Sequence, residues 1–180
     1  MKFRWSGSVR QPEEEVRQRI RRYFERIGFR TLEEAPTLSL QRGETGLHLD
    51  PRRIWMRIEA KVQGWGAETL VDITFELASR RLLSETGAEL LVSEVREMTR
   101  YLQNGDADFE RLETLQQRAV RELRAILITA VGVAVVLSVG AAYLLYALRW
   151  TGPLAPVLGG LLVGLVAGYL YARMGRFRKR

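Results

Sequence analysis

The chain has 180 residues, a net charge of +7, no cysteine and one histidine. The absence of cysteine excludes disulfides, thiol nucleophiles and cysteine-built metal sites, and one histidine leaves little for a histidine-built metal centre. Residues 1–105 hold 18 basic and 16 acidic residues, so most of the positive excess lies further along the chain. The charge is therefore not the footprint of a nucleic-acid-binding protein. We expect no metal, no cofactor and no nucleic-acid partner.

The chain begins with a strand and a helix. Met1–Val9 alternates polar and apolar residues, with Phe3 and Trp5 on one face, which predicts a strand. Pro12 suits the first position of a helix that stops near Gly28. The polar face of this helix is rich in arginine. We interpret it as a solvated face with ion pairs at i,i+4 spacing, the alternative being an anion site.

Three further strands follow in the sequence. A short strand is predicted over Ala35–Gln41, and Ile54–Gln63 and Glu68–Leu77 alternate clearly. The last two read as a hairpin joined by the loop Gly64–Ala67. One face of that hairpin is apolar and the other is charged with mixed sign, so we expect an antiparallel sheet with one buried face.

The charged face of the hairpin holds the acid–base candidates. Glu59, Asp72 and Glu76 could converge as paired carboxylates for acid–base or metal chemistry. Cross-strand ion pairs with Arg57 and Lys61 are the favoured interpretation. Two further residues stand out near the sheet. Trp65 in the hairpin loop is a candidate contact residue, and His48 is interpreted as a turn or surface residue.

A second helix is predicted over Ser84–Gln103, with an apolar seam along one side. The chain then breaks, and Asp106 or Asp108 can cap a third helix that begins near Phe109. No helix breaker interrupts the run up to Leu148, which predicts one long helix or two with a bend near Arg124.

Two long apolar runs dominate the C-terminal part of the chain. Residues 125–148 and 154–172 would reach about 36 Å and about 28 Å as helices, enough to cross a bilayer. Five residues connect them. The predicted layout is a cytoplasmic α+β domain at 1–105, a linking helix at 106–124, a transmembrane hairpin at 125–172 and a basic tail at 173–180.

Small residues recur every four positions in both apolar runs, which is the spacing that lets membrane helices approach closely. These candidate helix-packing residues are Gly160, Gly164, Gly168, Ala130, Ala134, Ser138 and Ala142. The favoured interpretation is packing of the two spans against each other within one chain. The alternative is a contact with another copy or another membrane subunit.

Positive charge flanks the hairpin on its N- and C-terminal sides, and the connecting loop holds one arginine. By the positive-inside rule both termini face the cytoplasm of an inner membrane, in a multi-pass topology. Aromatic residues suit the two membrane interfaces, namely Trp150, Tyr143, Tyr146, Tyr169 and Tyr171. The tail fixes topology or binds anionic lipid headgroups through Arg173, Arg176, Arg178, Lys179 and Arg180.

The fold class is thus an α+β domain of strand, helix, three strands and helix, with an antiparallel sheet, followed by a helix that leads into a two-helix transmembrane hairpin. No catalytic motif is present, and no charge lies within either span. We expect a non-enzymatic, membrane-anchored assembly subunit that docks a protein partner or its own copies. The alternatives are a membrane-tethered module that binds a lipid or small apolar ligand, and a carboxylate-based enzyme at the membrane surface.

Overall fold

The computed structural model describes residues 1–45, 48–66, 68–78 and 85–147, together with Gly160 and Gly164. The chain divides into two compact units, Met1–Val120 and Arg121–Arg180. The first unit contains a sheet and its helices. The described part of the second unit is the later portion of a long helix, with the two glycines.

The first unit is built on a five-stranded sheet in which all strand pairs are antiparallel. The strand order is β1-β5-β4-β3-β2, so the first strand of the chain lies at one edge and the second at the other. The strands are β1 Lys2–Val9, β2 Arg30–Glu33, β3 Leu38–Arg42, β4 Met56–Trp65 and β5 Glu68–Leu77. The α helices are α1 Glu13–Arg26, α2 Glu85–Asn104 and α3 Phe109–Ala147. The predicted α+β class is confirmed.

The predicted strand count was wrong by one, because β2 was missed. β2 has four residues, and its register against β3 shifts between Thr31 and Glu33. A short, bulged edge strand buries little, so its sequence carries no clear alternation. The other predicted strands and helices are present, with ends displaced by up to three residues. β4 continues to Trp65, which pairs with Glu68 and leaves a tighter turn than predicted.

The buried face of the central hairpin follows the predicted alternation. The even-numbered residues of β4 from Met56 to Val62 are buried, and so are the odd-numbered residues of β5. They form one apolar cluster with α1 and α2, and the opposite face carries the charged side chains.

Local chemistry accounts for the ends of the helices. Pro12 is the N-cap residue of α1, and three glutamates occupy its first turn, where the helix dipole favours negative charge. Gly28 follows α1 with a positive φ of 94°, a conformation that glycine adopts without strain. Asp108 caps α3, since its carboxylate accepts the Arg111 N–H at 2.9 Å.

α3 is one continuous helix of 39 residues. Its first turns belong to the first unit, where Leu112 and Ala119 are fully buried and Leu115 packs against the apolar cluster. The predicted third helix therefore forms without a break, and its start is part of the domain core.

The two faces of β5 predict unequal stability effects. The Phe75 ring is 2% exposed and stacks on Phe3 at 4.6 Å between ring centroids, whereas Thr74 lies on the half-exposed face. Phe75→Ala is expected to lower the free energy of unfolding by about 3–5 kcal/mol, because it opens a cavity in the core. Thr74→Ala should cost less than half as much. Chemical unfolding of the full chain in detergent measures both, and equal costs would contradict this assignment of the faces.

Candidate functional site

The later part of α3 exposes apolar side chains over most of its surface. From Ala125 to Ala147 the helix contains no charged residue. Its large exposed side chains are Leu127, Ile128, Val131, Val133, Val135, Val136, Leu137, Val139 and Tyr143. A helix that is apolar on every side needs an apolar environment around it. Within the described residues, one helix, Phe109–Gly140, is long and apolar enough to cross a membrane.

The predicted helix-packing residues of this segment differ in exposure. Ala130 is buried and Ala134 is half-buried, while the residues around them are exposed. Ser138 is exposed, and its hydroxyl donates to the Ala134 carbonyl at 2.7 Å. The hydroxyl of Thr129 likewise donates to the Ala125 carbonyl at 2.8 Å. Both hydroxyls therefore have a partner within the helix, as an apolar environment requires.

Gly160 and Gly164 are helical and exposed, and a Cβ built on either would meet no atom within 4 Å. These two predicted packing positions thus face open space in the single chain. The other predicted membrane residues lie outside what the structure describes. For Ala142 and Tyr146 this applies to the side chains alone. For the rest it applies to the whole residue: Gly168, Trp150, Tyr169, Tyr171, Arg173, Arg176, Arg178, Lys179 and Arg180.

A buried polar network joins four parts of the first unit. We call it the Arg42–Glu94 network; its members are Arg42, Asp50, Arg52, Glu94 and Gln116. The Arg42 guanidinium donates to both carboxylate oxygens of Glu94, at 2.9 Å and 2.6 Å, and the Glu94 side chain is 5% exposed. Arg52 donates to the same carboxylate at 3.1 Å. One carboxylate on α2 therefore binds a strand residue and a loop residue together.

The network continues from the loop to α3. Arg52 also donates to the Gln116 side-chain oxygen at 2.7 Å, and the Gln116 amide donates to Asp50 at 2.9 Å. Asp50 in turn accepts the backbone N–H of Arg52 at 2.9 Å. These bonds fix the start of α3 against the β3–β4 connection.

Sequence reasoning missed this network, although a signal was available. Arg42 follows Leu38 and Leu40 in alternation, which places its side chain on the buried face of β3. Glu94 lies three residues after Leu91 and four before Met98, on the apolar side of α2. A buried arginine and a buried glutamate on facing elements imply a pair, because neither charge is stable alone in a core.

Tyr23 on α1 joins the same region. Its buried hydroxyl donates to the Glu94 backbone carbonyl at 2.6 Å. Burial, and the nearby negative charge of Glu94, raise the pKa of Tyr23 well above its usual range. The phenol therefore remains a hydrogen-bond donor in the core rather than a base.

The acid–base candidates lie on the open face of the sheet, and each has a cationic partner. Glu76 pairs with Lys2 at 3.3 Å, Asp72 pairs with Arg4, and Glu59 pairs with Arg57 at 3.3 Å. The partners of Asp72 and Glu76 come from β1 rather than from β4 as predicted, and Arg57 pairs with Glu59 along the same strand rather than across strands. The hydrogen bond from Arg4 holds the pKa of the Asp72 carboxyl below its ordinary value. A general acid needs the opposite shift.

The described residues contain no group of three or more acidic or histidine side chains that could hold a metal ion. Trp65, the candidate contact residue, is 75% exposed at the end of β4. His48 lies half-buried between β3 and the 3₁₀ turn Pro51–Arg53. The arginine face of α1 is paired as predicted, with Glu13–Arg17 at 3.0 Å and Glu15–Arg19 at 2.8 Å.

Comparison of the chain with protein-family models and with curated proteins gives no match. Function therefore has to be argued from the apolar helix, the buried network and the surfaces of the sheet.

The Arg42–Glu94 network predicts a large penalty for removing one charge. Glu94→Ala leaves two guanidinium groups without their carboxylate, and the free energy of unfolding should fall by about 3–5 kcal/mol. Arg42→Met combined with Glu94→Leu should recover much of that loss, because the fully buried guanidinium is removed with its carboxylate, and Arg52, which is 16% exposed, keeps its bond to Gln116. Arg10→Ala, which breaks the exposed Arg10–Glu68 pair, is the control and should change little. Unfolding by denaturant measures all three, and additive losses in the double variant would show that the pair is not coupled.

Proposed function

We propose that this protein is a non-enzymatic, membrane-anchored assembly subunit. Its α+β domain is held at the cytoplasmic face of an inner membrane by a two-span hairpin, and it docks a protein partner or its own copies. The observation that carries the proposal is the exposure of apolar side chains over most of the surface of α3 beyond Arg124. A soluble protein does not leave such a surface in water.

The assembly part of the proposal is supported by the second apolar run. Gly160 and Gly164 present bare helix surface with open space in front of them. In lipid, such a surface stabilises helix contacts through close packing. Packing within the chain, as expected from the sequence, and a contact with another copy are therefore both tested below.

The pairing of the sheet carboxylates supports a non-enzymatic function. Asp72 has a lowered pKa, and Glu59 and Glu76 each lie beside a cation on an open face rather than in a cleft. Acid–base catalysis needs a carboxyl whose pKa is matched to its task and a site that excludes water.

Anchoring is tested by placing charge on the apolar helix. Val131→Lys combined with Val135→Lys puts two ammonium groups on residues that are 54% and 56% exposed. Each lysine near the centre of a span opposes insertion by about 3 kcal/mol, so the double variant should leave the membrane fraction after alkaline extraction. Val92→Lys, at a 61% exposed site on α2, is the matched control and should stay with the membrane. Retention of the double variant would contradict anchoring through α3.

Cysteine labelling in the same membranes tests the orientation. The chain has no cysteine of its own, so any label reports the introduced residue. A cysteine placed at Thr151 should react with an impermeant maleimide from outside. One placed at Gly105 should react only after permeabilisation. The reverse pattern would refute cytoplasmic termini, and reaction of both only after permeabilisation would refute the hairpin.

Assembly is tested at Gly164. Gly164→Ile puts a branched side chain on the bare surface and keeps the segment apolar, so insertion should persist while any contact there is lost. Native mass spectrometry of the detergent-solubilised chain should show smaller assemblies, with circular dichroism unchanged. Gly132→Ile, at a helical glycine that does not belong to the predicted packing residues, is the matched control. Unchanged assembly size with lower thermal stability in Gly164→Ile would mean that this surface packs within the chain, and no change in either would mean that it faces lipid.

A further inference from the structure

The free edge of β1 differs from a protected sheet edge. β1 has eight residues, pairs with β5 without a register shift, and contains no proline. Among the described residues, no strand pairs with its other side. Natural proteins usually protect edge strands by shortening, bulges, proline or unpaired charge. The other edge of the sheet, β2, is short and bulged.

The hydrogen bonds at the start of β1 show which of its backbone groups are free. Met1 and Leu77 exchange both backbone bonds, at 2.7 Å and 2.8 Å. In an antiparallel ladder the residues alternate, so the odd-numbered residues of β1 bond to β5. The N–H and C=O groups of Lys2, Arg4, Ser6 and Ser8 therefore point away from the sheet, towards the free edge.

Charge does not protect this edge either. Lys2 and Arg4 are its cations, and both are paired within the chain, with Glu76 and Asp72. On the helix side of the sheet, Phe3 and Trp5 are half-exposed next to the edge. α1 packs against β2, β3 and β4, so it covers the opposite half of the sheet.

We propose that β1 pairs antiparallel with β1 of a second copy, so that the two sheets join into one of ten strands. The proposal rests on the assembly function above and names the surface and the occupant. The joined edges supply about eight backbone hydrogen bonds, two for each pair of outward-pointing residues. The two-fold axis that relates the two copies is perpendicular to the sheet, so the two Trp5 side chains lie on the same face.

The sequence of β1 is complementary to itself in one register. With the axis at Trp5, Lys2 lies opposite Ser8 of the second copy and Arg4 lies opposite Ser6. Phe3 then lies opposite Gly7, where the Trp5 ring of the same strand lies so close that a Cβ on Gly7 would come within 2.8 Å of it. Moving the axis to Arg4 sets two arginines opposite each other, and moving it to Ser6 sets Lys2 against Arg10. Like charges directly opposite destabilise a sheet, so the Trp5 register is favoured.

Membrane anchoring strengthens an edge contact of this kind. Copies confined to one bilayer meet at a high effective concentration, so a modest affinity between edges is enough to join them. This favours a second copy over a soluble partner as the occupant of β1.

Disulfide trapping tests the pairing in the full chain reconstituted into lipid vesicles. Trp5→Cys places two thiols at a non-hydrogen-bonded pair with Cβ atoms about 5 Å apart, within reach of a disulfide. Ser8→Cys is the matched control, because its two copies are about 20 Å apart in the same register. Mild oxidation should give at least tenfold more covalent dimer from Trp5→Cys. Equal yields would overturn the proposal.

A proline variant tests whether backbone bonds carry the contact. Ser6→Pro removes an N–H that points to the free edge and is not used by β5, so the domain should fold while trapping through Trp5→Cys falls to the Ser8→Cys level. Ser6→Ala keeps that N–H and should trap like its parent. Unchanged trapping with proline would overturn the proposal.

A second measurement needs no cysteine and keeps Trp5. Hydrogen exchange of the Ser6 amide should slow at least tenfold when the wild-type chain is crowded in vesicles, compared with the chain diluted in excess lipid. Equal exchange at both densities would overturn the pairing. If native mass spectrometry still shows oligomers in that case, the assembly function stands without β1; a monomer under all conditions refutes both.

Discussion

The pairing of Glu94 with Arg42 and Arg52 is the interaction on which the arrangement of the first unit depends. A carboxylate that is 5% exposed is costly to bury, and two guanidinium groups together offset that cost. The three side chains come from α2, β3 and the loop after it, and Gln116 extends the network to α3. Apolar contacts alone would let these elements slide past one another, whereas a bidentate charge pair has one geometry. The start of α3 is therefore held by polar contacts in addition to the apolar packing of Leu112 and Ala119.

The elements that the sequence predicted best are those whose environment is uniform along their length. The β4–β5 hairpin has one solvent-exposed face and one buried face, so polar and apolar residues alternate clearly from Met56 to Val62 and from Val71 to Leu77. The apolar run after Arg124 is equally plain, because it holds no charged residue up to Ala147. β2 was not predicted, because its four residues at a bulged edge lack a regular alternation of buried and exposed positions.

The candidate site was harder to predict than the fold because charged residues have the same appearance in a sequence whether they are buried or exposed. Arg42 and Glu94 are 52 positions apart, and only the packing of α2 over β3 brings them together. The carboxylates Glu59, Asp72 and Glu76 were assigned to the open face from their alternation alone. Two of their partners came from β1, because neighbours across a sheet depend on strand order, which hairpin patterns do not determine.

The two edges of the sheet differ in a way that limits growth. β1 is long and regular. β2 has four residues and a shifted register, and its first and last residues, Arg30 and Glu33, are charged and exposed. A sheet extended through β1 therefore ends at β2 on both outer sides. Such a pair is closed by its own symmetry, while a sheet with two open edges would add copies without limit. In the β1 pairing that we propose, the irregularity of β2 would thus give a finite assembly instead of a fibre.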